Sequence, residues 1–257
     1  MVRGGHGDPG GPVREEEHSP AARDGLVLGA HWGLLTFFLG IGGYYLLSLV
    51  LAAVVLGGGA KFNSLQLTGL GPLVLLAFVP NILLGLLPAI GSWLWGRGLR
   101  VDFGLLPTAR DVKVGLACGG FALLTGYLIN LALIGVYGVQ RLDDPLNEMF
   151  GGISASVGWL VVAAIIVAVG APLAEELLVR GALWNGLAHY RVPPWVILVL
   201  TSLVFAQLHG EPTRIVALFG QGLAIGAARM ITGRTGSSVI AHATNNLPPA
   251  LLLFIGT

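Results

Sequence analysis

Apolar residues in this chain come in long unbroken blocks, and polar residues gather in short breaks between them, instead of alternating at the periods of a half-buried strand or a surface helix. A helix needs roughly 20 apolar residues to cross a hydrocarbon core about 30 Å thick. The blocks predict helical spans near 33–56, 72–96, 113–138, 157–189, 194–209, 213–231 and 236–255. The expected fold is all-α, a polytopic membrane bundle of about seven to eight transmembrane helices. The last three spans are short, and Pro80 and Pro88 are expected to kink the second or turn it back on itself. Val157 to Tyr190 is too long for one crossing, at about 50 Å if wholly helical. Either its second half projects into the cytosol or Pro172 breaks it.

Composition turns this pattern into a compartment. The 257 residues are 54% hydrophobic and 11% charged with a mean hydropathy of +0.81, against about 25% charged in soluble domains, so the chain is expected to be an integral membrane protein partnered by the lipid bilayer. A formal net charge of +1 gives no basic surface for nucleic acid. The single cysteine, Cys118, excludes an intrachain disulfide and reads as packing. Of the 40 glycines, Gly115/Gly119 and Gly222/Gly226 have the GxxxG spacing, read here as helix packing and not as a dimer signal. Residues 1–25, rich in Gly, Pro and charge, read as a disordered cytosolic tail ahead of one transmembrane domain over 26–257. They lack the apolar core of a cleaved signal peptide. Lys and Arg favour cytoplasmic loops. A cytosolic N-terminus in the plasma membrane collects Arg3, Arg14, Arg23, Arg97, Arg100, Arg110, Lys113, Arg191, Arg229 and Arg234 on that side, and leaves Lys61, Arg141 and Arg214 opposite.

Ionisable groups inside spans cost roughly 2.5–3.5 kcal/mol each to insert and tend to face the protein interior. Three clusters stand out. In Ala171 to Gly181, APLAEELLVRG, Glu176 and Arg180 are four apart and stack on one helical face as an ion pair, while Glu175 points about 100° away as an unpaired carboxylate. The plain alternative is a solvated cytosolic helix face for all three. In FAQLHG, Phe205 and His209 share a face, and a lone histidine at a helix end serves more often as a dipole partner than as a catalyst. In AHATNN, His242 and Asn246 are four apart and project together, either as donors toward an oxyanion or as interhelical hydrogen bonds. Glu175 lies fifteen residues before Tyr190 and His209 fifteen after Pro194, so a hairpin turning at 190–194 places both at one height. A carboxylate and an imidazole so placed can activate water. No such height argument closes for His242, only six residues beyond Gly236, without tilt or a re-entrant segment.

In this order, EELLVRG, FAQLH and HATNN resemble the EExxxR, FxxxH and HxxxN motifs of the CPBP family, the CAAX proteases and bacteriocin-processing enzymes also called Abi or Rce1-like. The resemblance covers a motif-bearing core over about 157–256. It implies an intramembrane endopeptidase with a water-filled cavity open to the cytosol, acting on a peptide or lipidated-protein substrate. By motif position Glu175 is the base, His209 its partner on water, and His242 with Asn246 the oxyanion donors, while Glu176, Arg180 and Phe205 are supporting positions. Val179 stands where many relatives carry Phe. A Glu175, His209 and His242 set could also bind zinc with an open water position. There is no HExxH, and a metal-free glutamate mechanism uses the same residues, so the cofactor is either none or a divalent metal. Length and composition fit a bacterial source. Two other classes remain: a non-catalytic scaffold or bacteriocin-immunity protein, and an ion transporter using the same groups as a pathway.

Overall fold

The computed structural model describes residues 22–23, 26–27, 29–57, 70–138 and 156–254. Most of the expected 1–25 tail, with Lys61 and Arg141, lies outside them. Among the described residues eight helices follow in order: α1 (Gly33–Gly57), α2 (Leu70–Trp95), the single turn α3 (Leu99–Asp102), α4 (Ala109–Tyr137), α5 (Val157–His189), α6 (Pro194–Leu208), α7 (Ile215–Thr232) and α8 (Thr235–Leu252). Among the described residues the one extended feature is an antiparallel ladder of two residues per strand, Ala22–Arg23 with Leu26–Val27. Five helices, α1, α2, α4, α5 and α7 with its preceding 3-10 turn, are long and apolar enough to cross a membrane. The 15 residues of α6 are apolar but shorter. This is a multi-pass helical membrane protein.

The second helix runs through Pro80 and Pro88 as one element and does not turn back. The fourth starts four residues before its apolar pattern because Thr108 caps it. Thr108 Oγ1 accepts from the Asp111 amide, and Asp111 Oδ2 accepts from the Thr108 amide at 2.6 Å, a reciprocal box that satisfies two orphan donors.

The long segment does not break at Pro172. Helix α5 continues through Pro172, and its second half is buried: Leu177 to Gly186 form an unbroken buried run. Two π-helical turns, Ile166–Gly170 and Leu177–Leu183, interrupt its α-geometry; such turns inside α-helices often mark functional sites. The first absorbs the proline, whose missing N–H would break an α-helical ladder. The buried half stays out of water because other elements cover it. The Ala30 amide donates to Asn185 O, Asn185 Nδ2 donates to Asp102 O, and Phe103, fully buried, stacks edge-on against Trp32.

That same cover changes where α8 begins. The Thr235 amide donates to Phe103 O at 2.7 Å, and Thr235 Oγ1 donates to Arg180 O. The first turn of α8 is therefore embedded at the depth of Arg180 instead of lying at the protein's edge.

The glycine pairs serve contacts within the chain. A β-carbon at Gly115 or Gly119 would strike Ile240 or Ala241 of α8, and at Gly222 or Gly226 it would strike Phe205 or Leu198 of α6. Two of the basic residues counted for orientation are built into the protein as well. Arg229 is buried, donating to Asn185 Oδ1 and Gly233 O, and Arg234 pairs with Asp111 at 2.9 Å.

Candidate active site

The adjacent glutamates of α5 point to different neighbours. Glu176 and Arg180 are both 0% exposed and paired at 2.7 Å. Arg180 also donates to Gly222 O at 2.7 Å and lies 4.8 Å over the Phe205 ring. A charge pair taken wholly out of water persists only with good geometry and further hydrogen bonds, and these contacts supply them. The solvated-face reading of the cluster is thereby overturned. Glu175 faces α6 instead and keeps 19% of its side chain exposed.

The α5–α6 hairpin turns at residues 190–193, where Arg191 takes a positive φ of 58°. Fifteen residues of rise on each side bring Glu175 Oε2 and His209 Nε2 to 3.9 Å. That is too long for a direct hydrogen bond and the right span for one water bonded to both at about 2.8 Å. His209 Nδ1 lies 2.8 Å from Phe205 O. A carbonyl only accepts, so Nδ1 carries the proton and a neutral ring presents Nε2 as an acceptor toward Glu175. The histidine thus caps the end of α6 and faces the carboxylate with its other nitrogen.

His242, 2% exposed, reaches Glu176 Oε1 at 3.2 Å, which the depth of Thr235 makes possible. Its Nδ1 donates to that carboxylate, and the neutral ring then has Nε2 as an acceptor. Donation from both nitrogens requires the protonated ring, whose charge the carboxylate would balance. The Phe205 ring lies between the two histidines, 4.5 Å from His209 and 5.3 Å from His242. Asn246 does not project free beside His242: its Nδ2 donates to Val167 O at 3.1 Å, and its Oδ1 accepts from Asn245.

The structure therefore brings together Glu175 with His209, and Glu176 with Arg180, His242 and Phe205. It does not gather Glu175, His209 and His242 into a cradle. Among the described residues no three His, Cys, Asp or Glu side chains are placed to hold a metal ion, so the donor set does not fit zinc and no step is derived through one.

One neighbour escaped the sequence reading. Gly33 packs against Ala182 and Gly186, and Gly40 against Leu178. Continuing that antiparallel register along α1 brings Tyr44 to the level of Glu175, within its electrostatic reach. Nothing in the spacing of a uniformly apolar span marks this tyrosine; only the register does.

Residues 157–248 match the family model described as Type II CAAX prenyl endopeptidase Rce1-like. The chain is also 28% identical over 134 residues to the membrane-embedded CAAX protease MroQ of Staphylococcus aureus (strain USA300). That match covers 49% of this chain and 53% of the relative, so it spans about half of each. No solved structure matches significantly. The matched segment, less than half of the chain, holds the glutamate pair, the arginine and both site histidines, and over it the chain is similar to the Rce1-like CAAX endopeptidases.

Proposed function

We propose that the protein is an intramembrane endopeptidase that hydrolyses a peptide bond in a lipidated or hydrophobic peptide, using a water activated by Glu175 and His209. The observation that carries this reading is the 3.9 Å separation of Glu175 Oε2 from His209 Nε2, with each side chain about a fifth exposed in an otherwise buried neighbourhood.

Glu175 accepts a proton as the water oxygen attacks the scissile carbonyl carbon, and His209 Nε2 orients that water. The carbonyl π-electrons move to oxygen. Asn246, through its second amide N–H, and His242, through Nε2–H of the protonated ring, receive the developing negative charge. Collapse of the tetrahedral intermediate breaks the C–N bond, and the proton held by Glu175 passes to the departing amine. Glu176 stays ionised between Arg180 and His242 and holds the imidazole's orientation; it takes no proton in this sequence.

The family match and the relative's description as a CAAX protease favour a membrane-associated peptide as substrate. The basic residues Arg97, Arg100 and Arg110 at one end of the bundle favour a cytosolic N-terminus, and the plasma membrane is part of the same proposal.

The test is cleavage of a fluorogenic lipidated peptide by purified protein in liposomes, with products identified by mass. Wild type is expected to cleave one internal bond with and without chelator, and Glu175→Ala to cleave none while melting as wild type does. Unchanged turnover in Glu175→Ala would refute the assignment of the base. Loss with chelator and recovery with zinc would replace the metal-free mechanism.

A further inference from the structure

In the first π-helical turn of α5 the Ala171 amide donates to Ile166 O, five residues back. That removes from Val167 O the partner an α-helix would give it, since Ala171 is also its i+4 residue. Its i+5 partner in the π-register is Pro172, which has no N–H. Val167 O is thereby left without a donor from its own helix, inside a protein where an unmet carbonyl costs free energy. The donor it finds is the Asn246 side chain, at 3.1 Å.

Asn246 is held from its other side too. Gln221 Nε2 of α7 donates to Asn245 Oδ1 at 3.2 Å, and Asn245 Nδ2 donates to Asn246 Oδ1 at 3.1 Å. Three hydrogen bonds run in one sense from α7 through α8 to α5, an arrangement in which each polarises the next. The chain has been given room for this, because a β-carbon at Gly126 of α4 would collide with Gln221 Nε2. Asn246 spends its carbonyl oxygen and one amide hydrogen on the relay, and one N–H remains.

We propose that Pro172, Asn245 and Gln221, none of them at a fixed position of the three motifs, position Asn246. The proline creates the acceptor that docks its amide, and the two amides fix the direction of its remaining N–H. This rests on the peptidase reading only for its kinetic consequence.

Two measurements test it. The first needs no activity: melting of wild type, Asn246→Leu, Pro172→Ala and the double variant in detergent. Where residue 172 has an N–H, Val167 O can be satisfied within α5. Asn246→Leu is therefore expected to lower Tm clearly in wild type and much less in Pro172→Ala. Equal losses in both backgrounds would overturn the docking. If Pro172→Ala does not fold, the cycle of Asn245→Leu with Asn246→Leu takes its place, with the same requirement of non-additive losses. The second is kinetic. Gln221→Leu and Asn245→Leu are expected to lower kcat about 10- to 100-fold, as a loosened positioning group does, with KM within about two-fold. Asn130→Leu, an α4 amide outside the relay, leaves kcat unchanged. Wild-type kcat in both relay variants would overturn the positioning role. A wild type that cleaves nothing would defeat the peptidase reading alone, and the melting cycle would still decide the docking.

Discussion

Glu175 and Glu176 are neighbours in sequence, yet one helical step of rotation gives them opposite surroundings. Glu176 is sealed against Arg180 and His242, whereas Glu175 shares a partly exposed site with His209. Removing the arginine strips the buried carboxylate of its main counter-charge. Arg180→Ala is expected to destabilise by about 3–5 kcal/mol, read as a large fall in Tm, and a fall within a degree or two would contradict the pairing. This much was legible in the sequence, because i to i+4 spacing and a fifteen-residue symmetry about a turn are properties of any helix. The His242 contact was not, since it depends on how deep α8 starts. Nor was the docking of Asn246, which needs the π-register of a different helix.

Among the helices, close approach sets the geometry of the site. At Gly33 an added β-carbon would lie 2.5 Å from Ala182 O and 2.7 Å from the Gly186 amide nitrogen, backbone atoms that cannot rotate away. Gly33→Ala is expected to push α1 off α5 and lower Tm markedly. Gly42→Ala in the same helix meets nothing within 4 Å and should be neutral or stabilise by up to about 1 kcal/mol. Equal effects would show that α1 does not rest on α5 as described. The apolar blocks located the long helices because length and hydropathy alone define a span. They missed α3, a single turn with no periodicity to read. They also missed the Thr108 start of α4, although Thr108 and Asp111 stand at capping-box spacing ahead of the apolar run.

Across the whole molecule, the α5–α6 turn and the 96–108 connection lie toward one end of the bundle, and α8 begins beneath that connection, at the depth of Arg180. His209 and the 209–214 turn close α6 at its far end. A cytosolic N-terminus puts the first group inside and the His209 turn toward the opposite face, whereas the family resemblance implies a site open to the cytosol. In a Cys118→Ser background, Leu106→Cys is expected to react with a membrane-impermeant maleimide from the cytosolic side only, and Pro212→Cys from the other side only. The reverse pattern would invert the topology. The basic-residue count carried the sequence argument for orientation, and two of its members are engaged within the protein, Arg229 buried against Asn185 and Arg234, partly exposed, paired with Asp111.

The proposed mechanism has Glu175 and His209 act on one water as a unit, and groups that act as a unit do not lose activity independently. The decisive measurement is kcat for Glu175→Gln, His209→Ala and the double variant in liposomes, each verified as folded. Each single change is expected to lower kcat by about a thousand-fold or more, and the double variant to be no slower than the worse single. Wild-type turnover in Glu175→Gln, or losses that multiply in the double variant, would contradict it.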